Sequence, residues 1–163
     1  MAASQAPVIS NTTPLINLVG VRHLDLLPAL YGTITIANAV LNEYVAGKAP
    51  GDPDLASQTW LHIAPDVSRH VSLPPHLGAG EAATLSLALT INARSVLLDE
   101  AYGRRIAQTL GLPVVDTLGV LLAAKQAGYL PAVGPVIDDM IRQGRRISQR
   151  LRAHLLRAAG ESP

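Results

Sequence analysis

Two short segments decide the fold of this chain: Val8-Ile9-Ser10-Asn11-Thr12-Thr13-Pro14-Leu15 and Ser95-Val96-Leu97-Leu98-Asp99-Glu100. Each begins as the brief apolar run of a buried strand and stops at a carboxylate or its amide analogue. A third segment, Pro113-Val114-Val115-Asp116, has the same form. The carboxyl ends of parallel strands meet at one edge of a sheet, and ligands of open α/β sheets bind there. We therefore expect one polar cluster at this edge, with the oxygen ligands that suit Mg²⁺ or Mn²⁺ beside a phosphate.

Composition places the chain among single-domain α/β proteins. It has 163 residues, of which 48% are hydrophobic, and it contains no cysteine. This length is enough for one domain with a substantial core. The lack of cysteine excludes disulfides, zinc thiolates and thiol nucleophiles. We expect a single domain over residues 1–163, with a core over about 7–130 and C-terminal helices over about 133–159.

Strand and helix alternate along the chain with short connections, which predicts right-handed βαβ crossovers and a mostly parallel sheet of four to five strands. Asn38 and Asp54 are predicted to cap the helices that follow them. The predicted strands are Pro7–Ser10, Thr33–Ala37, Leu61–Ala64 (an edge-strand candidate), Ser95–Leu98 and Pro113–Val115.

Two glutamates add to the predicted cluster. Glu43 lies one turn into the helix after the second strand, and Glu81 stands at the start of a predicted helix over Glu81–Asn92. Acids near helix starts also have a structural use, because they cap the helix or favour the positive end of its dipole. Helix capping alone does not readily explain why five such residues are predicted at one edge of the sheet. These residues are Asn11, Glu43, Glu81, Asp99 and Asp116.

Polar residues around the predicted cluster have two open interpretations each. Thr12 and Thr13 would position water or phosphate, or they satisfy backbone groups at the turn into the helix. Arg104 and Arg105 follow Asp99 by five and six residues. One of them would contact a substrate phosphate, or both form salt bridges with nearby acids.

The basic residues are unevenly distributed. Six of the thirteen lie in the segment from Arg142 to the last residue, Pro163. The only acid in that segment is Glu161. Four of them, Arg142, Arg145, Arg146 and Arg150, recur at helical spacing and are predicted to share one face. The opposite, buried stripe would be formed by Ile147, Leu151, Leu155 and Leu156. The basic face is either simply solvated, or it contacts RNA or an acidic segment of a partner.

The first residues, Met1–Pro7, lack the basic and apolar regions of a signal peptide. No apolar stretch reaches the roughly 18 residues that span a bilayer. We expect a cytoplasmic protein with no membrane partner.

Two other classes of site are disfavoured. Gly78-Ala79-Gly80-Glu81-Ala82-Ala83 has the form of a dinucleotide fingerprint, but it follows no strand and places an acid at the pyrophosphate position. A phosphatase of doubly wound type would be supported by two aspartates spaced two residues apart after the first strand. The chain has Asn11 and Thr13 at those positions.

The order and spacing of these motifs resemble the PIN domain family, over roughly residues 7–155. The motifs that carry the resemblance are Ser10-Asn11-Thr12-Thr13-Pro14-Leu15-Ile16, Gly80-Glu81-Ala82, Leu97-Leu98-Asp99-Glu100, Gly103-Arg104-Arg105, and Thr117-Leu118-Gly119-Val120-Leu121 with Ala124-Lys125. The branch that the chain resembles is related to the VapC-type toxin ribonucleases. The resemblance implies a three-layer α/β fold with a C-terminal helical extension.

The resemblance also implies an Mg²⁺- or Mn²⁺-dependent ribonuclease. The family's first carboxylate falls on Asn11, and the three other acids fall on Glu43, Glu81 and Asp99, with Asp116 as an auxiliary ligand. An amide at the first position carries no charge, so metal affinity should fall. The expected partners are RNA, a small antitoxin protein and a second copy of the chain. The alternative is a PIN-like protein that binds RNA or a protein without cleavage. We expect Asp99→Asn to abolish cleavage and leave folding intact.

Overall fold

The computed structural model describes residues 5–163. The prediction about Met1–Pro7 rests partly on residues 1–4, which lie outside this range. Among residues 5–163, no helix is both long and apolar enough to cross a membrane.

A five-stranded parallel sheet forms the centre of the fold, in the order β3-β2-β1-β4-β5. The prediction of a mostly parallel sheet of four to five strands is confirmed, and the third strand lies at an edge. The strands are β1 (Val8–Ser10), β2 (Ile34–Ala37), β3 (Leu61–Ala64), β4 (Ser95–Leu97) and β5 (Val114–Val115).

Helices flank the sheet and complete a three-layer α/β fold, as predicted. Within residues 5–163 there are eight α-helices and one short 3₁₀ turn, Leu55–Ser57. The helices are α1 (Thr12–Gly20), α2 (Leu26–Tyr31), α3 (Asn38–Gly47), α4 (Ala79–Thr90), α5 (Ala101–Thr109), α6 (Thr117–Gln126), α7 (Gly134–Arg142) and α8 (Gln149–Ala158).

The strand order creates a reversal point between β1 and β4. From β1 the chain adds β2 and β3 on one side, and it then returns to the other side of β1 for β4 and β5. The central strands are apolar because helices cover both faces of the sheet, and Ile9, Ile34 and Val96 are fully buried. Ligands of such sheets bind at the carboxyl ends of the strands beside the reversal point.

Two predicted helix caps differ from the structure. Asn38 is the first residue of α3 and not its cap, because the extended residue Ala37 precedes the helix and no side chain caps it. Asp54 does accept a hydrogen bond from the Ala56 N–H, at 3.1 Å. It caps only the 3₁₀ turn, because the chain leaves helical conformation at Gln58.

The C-terminal helices form as predicted, but their arginines do not share one helical face. Arg145 and Arg146 lie in the connection between α7 and α8, after Gly144, whose φ of +92° ends the preceding turn. In the predicted apolar stripe Leu155 and Leu156 are buried, whereas Leu151 is 39% exposed. The prediction of a shared face applied helical spacing across the break between the two predicted helices, and Gly144 turns the chain there.

Two ion-paired contacts hold the C-terminal helices in place. Arg152 on α8 donates two hydrogen bonds to Asp138 on α7, at 2.7 and 3.0 Å. The Glu161 carboxylate accepts from the Val133 and Gly134 N–H groups at the start of α7 and pairs with Lys125 on α6. Burial opposes ionisation of Glu161, but these donors outweigh it and lower the pKa of its carboxyl group.

Candidate active site at the carboxyl ends of β1 and β4

Asn11 lies directly beside the end of β4. Its N–H donates to the Leu97 carbonyl at 2.9 Å, which continues the pairing of β1 with β4. The Asn11 side chain is 3% exposed and does not cap α1. Its Nδ2 donates to Glu100 Oε2, and its Oδ1 accepts from Thr84 Oγ1, both at 3.4 Å. The amide is therefore directed into the edge of the sheet and away from the helix start.

Glu43 on α3 accepts hydrogen bonds from the first turns of α1 and α4. Its Oε2 accepts from Thr12 Oγ1 at 2.6 Å, and its Oε1 accepts from the Gly80 N–H at 2.9 Å. A Cβ atom at position 80 would lie 2.6 Å from Glu43 Oε1, a separation that such atoms do not tolerate. Glycine at position 80 therefore leaves room for the Glu43 carboxylate, which a methyl group there would displace.

Glu81 has a buried oxygen with no partner. Its Oε2 is buried and has no hydrogen-bond donor among the described residues. A Cβ atom at position 103 would collide with this oxygen and lie 3.2 Å from Leu98 Cδ2, so the glycine of α5 leaves room for the carboxylate. Burial raises the pKa of Glu81, and the charges of Glu100 and Glu43 raise it further.

Glu100 was not predicted to belong to the site. Its carboxylate accepts from Thr13 Oγ1 and from the Asn11 amide, and its charge acts on Glu81. Consecutive side chains of an extended segment point to opposite sides. The adjacent acids Asp99 and Glu100 therefore cannot both face one cluster, and this was the signal available in the sequence. We did not use it.

Asp99 faces away from this group, into the body of the fold. Its Oδ1 accepts from the Thr117 N–H, and its Oδ2 accepts from Thr117 Oγ1 and Asn17 Nδ2, each at 2.7 Å. Burial raises the pKa of Asp99, although the bonds from Thr117 and Asn17 oppose the shift. The side chain joins the end of β4 to α1 and α6.

Asp116 also has structural partners. Its Oδ1 caps α6 by accepting from the Gly119 N–H at 2.8 Å, and its Oδ2 pairs with Arg104 at 2.7 Å. Of the two interpretations of Arg104, the structure contains the salt bridge. The Arg105 guanidinium lies over the Tyr102 ring, 5.8 Å from its centroid. Both arginines line a cavity of about 390 Å³ beside β5.

The predicted site residues thus fall into two groups. One group surrounds Asn11 and Glu81 at the ends of β1 and β4, and the other lies at β5 and α6. The first contains Asn11, Thr12, Thr13, Glu43 and Glu81, together with Glu100. The second contains Asp99, Arg104, Arg105 and Asp116.

The family model of DUF3368, described as a PIN domain, matches residues 7–161. The chain belongs to this family. No curated protein and no solved structure matches it. The PIN domain is a nuclease fold, its members generally use divalent metal ions, and it is commonly RNA-binding or nucleolytic.

The donor set of this PIN domain fits a divalent cation in type and charge. The buried, unpartnered oxygen of Glu81, with two like charges near it, is the feature that an ion would compensate. As they stand, no three His, Cys, Asp or Glu side chains among residues 5–163 are grouped closely enough to hold a metal. The carboxylates of Glu43 and Glu100 are bonded to Thr12 and Thr13, so they must turn toward Glu81 to coordinate an ion.

The contact between Gly80 and Glu43 gives the first prediction. Gly80→Ala should lower the free energy of unfolding by about 1–3 kcal/mol, because the new methyl group displaces the Glu43 carboxylate. Gly47→Ala is the control, since a Cβ at position 47 meets nothing within 4 Å. Chemical denaturation measures both variants. Equal stability of Gly80→Ala and the parent would contradict the packing described for Glu43.

The Asp99 contacts give the second prediction. Asp99→Ala should lower the free energy of unfolding by about 1–3 kcal/mol, because the donors of Thr117 and Asn17 lose their acceptor. Asp99→Asn should stay near the parent. The Asn17 amide can turn so that its buried Oδ1, which now lacks a partner, accepts from the new amide. Denaturation of both variants measures this, and a parent-like Asp99→Ala would contradict the role of Asp99 as a link.

Proposed function

We propose that the protein is a metal-dependent ribonuclease that hydrolyses RNA phosphodiester bonds with Mg²⁺ or Mn²⁺. The observation that carries the proposal is the half-buried Glu81 carboxylate, whose Oε2 is buried without a hydrogen-bond partner among the described residues and which lies near the charges of Glu100 and Glu43. Such an arrangement costs stability unless a cation lies between the acids. Membership of a family with a nuclease fold supports the same reaction.

Glu43, Glu81 and Glu100 would hold the cation, with the Asn11 amide oxygen as a neutral fourth donor. When bound, the metal lowers the pKa of a water molecule and orients it toward the scissile phosphorus. Thr12 and Thr13 donate hydrogen bonds to Glu43 and Glu100, and these bonds would be released when the carboxylates turn toward the cation. No side-chain nucleophile is required.

We assign Asp99 a positioning role, which revises the role that the family resemblance implies. Both of its oxygens are engaged by Thr117 and Asn17. We likewise assign Asp116 a positioning role, in which its carboxylate holds the Arg104 guanidinium by a salt bridge. Arg105, which is exposed, remains our candidate for contact with a substrate phosphate.

Cleavage of labelled RNA tests the proposal. The parent should cleave RNA with Mn²⁺ and not with EDTA, and Glu81→Gln should lower the rate at least about a hundredfold. Asp66→Asn, an amide change at an exposed acid outside the site, is the matched control and should cleave like the parent. Asp99→Asn should retain most of the activity. Cleavage that survives EDTA, or an active Glu81→Gln, would overturn the proposal.

A second function, RNA or protein binding without cleavage, is favoured by one observation. Both ends of the Asn11 amide are engaged, by Glu100 and Thr84, and the amide has no charge to offer a metal. In the same assay Asn11→Asp should raise the cleavage rate at low Mn²⁺ if the missing charge limits metal binding. RNA that stays intact with the parent and with Asn11→Asp would exclude the first function, and retarded migration of that intact RNA would support the second.

For the biological setting, we propose a cytoplasmic toxin component that a small antitoxin protein holds in check. The support for this is the resemblance to VapC-type ribonucleases alone. A neighbouring reading frame that encodes a small DNA-binding protein would favour the pairing. Purification of the two products as a complex would test it directly.

A further inference from the structure

The connection between α7 and α8, residues 143–148, is fixed against the end of α1. Gln143 Nε2 donates to the Gly20 carbonyl at 2.7 Å. A Cβ atom at position 20 would lie 2.6 Å from Gln143 Oε1 and would displace the glutamine amide from its present position. Gly144, with its φ of +92°, turns the chain directly after this anchor. The anchor and the turn together determine where Arg145 lies.

Arg145 borders a groove between α1 and α3, with a volume of about 140 Å³. We call this the α1–α3 groove. Ile16 and Tyr44 form part of its apolar wall, and its charged residues are Lys48, Asp52 and Arg145. Ile16 is 38% exposed on the wall.

The two cations of the groove are not neutralised by the protein. Lys48 and Arg145 are exposed, and neither forms an ion pair within residues 5–163, whereas Arg142 and Arg152 pair with Asp139 and Asp138. Asp52, the acid of the groove, accepts a hydrogen bond from the Ala49 N–H of its own loop at 2.9 Å. The charged side chains of the groove therefore sum to +1, with two cations free to contact an anionic ligand and Asp52 as the one opposing charge.

The α1–α3 groove leads away from the acidic cluster. Thr12, at the start of α1, is bonded to Glu43, and Gly20, at the end of α1, lines the groove. These two ends of α1 are about 12 Å apart at 1.5 Å per residue. Lys48 follows Glu43 by five residues on α3 and its C-terminal cap. At about 3.4 Å per nucleotide of a stacked strand, the distance corresponds to three to four nucleotides.

We propose that the α1–α3 groove binds the backbone of single-stranded RNA on one side of the acidic cluster, with Lys48 and Arg145 contacting its phosphates. The inference rests on the proposed function, since it names the path of that substrate. Lysine and arginine are suited to phosphate, and the accessible apolar side chains of Ile16 and Val19 give the sugars and bases a surface to contact. The second arginine of the connection, Arg146, is outside the groove.

Binding of a labelled single-stranded RNA, measured by fluorescence anisotropy in EDTA so that no cleavage occurs, tests the inference. The double variant Lys48→Gln, Arg145→Gln should bind about tenfold more weakly than the parent. The slope of log affinity against log salt concentration should fall by about 1.4, because each phosphate contact on a single strand contributes about 0.7. The affinity of the parent for RNA should increase with RNA length. In the double variant, the gain in affinity that comes from about four of these nucleotides should be absent.

The control is Arg157→Gln with Arg146→Gln, which removes the same charge from exposed arginines outside the groove. An equal loss of affinity in both double variants, or no loss in the groove variant, would overturn the inference. Displacement of RNA by polyglutamate of matched charge, at matched concentration, would also overturn it and assign the groove to a protein partner. If the groove variant weakens binding but the parent never cleaves RNA, the inference stands and the proposed ribonuclease activity fails.

Discussion

The parallel pairing of β1 with β4 is the contact on which the rest of the site depends. Ser10 is in register with Leu97, and the Asn11 N–H continues the ladder to the Leu97 carbonyl. This pairing lies where the strand order reverses, so the ends of two strands that are distant in sequence open into one crevice. Without it Asn11 and Glu100 would not meet. The site is therefore a consequence of sheet topology, because the strand order brings its residues together.

The sequence was sufficient to predict the sheet, because short apolar runs that end at polar residues describe strands buried on both faces. It was also sufficient to predict the positions of Glu43 and Glu81 on helices near that edge. It was not sufficient to predict side-chain direction. Asp99 and Glu100 are adjacent acids, and only the tertiary contacts of Asn17 and Thr117 decide which of them faces inward. For Asp116, likewise, the cap at Gly119 and the pair with Arg104 depend on how α5 and α6 pack, which the sequence left open.

Glycine is used at this site where carboxylates come close to backbone. Gly80 admits Glu43 and Gly103 admits Glu81, in both cases because a Cβ atom would occupy the position of a carboxylate oxygen. Burial at this position raises the pKa of Glu81, and the charges of Glu100 and Glu43 raise it further. We interpret this as stability given up for function, because an arrangement selected for stability alone would leave no buried acid without a donor.

The most direct test of this account is the pH dependence of stability with and without Mn²⁺. The folded-state pKa of Glu81 is raised, so the folded protein holds its proton to higher pH than the unfolded chain does, and stability falls as pH rises through that interval. In EDTA the parent should therefore lose stability relative to Glu81→Gln as pH rises, and Mn²⁺ should reverse the loss in the parent alone. Parallel curves in EDTA, with no effect of Mn²⁺ on the parent, would contradict the claim that the acids are arranged around a cation.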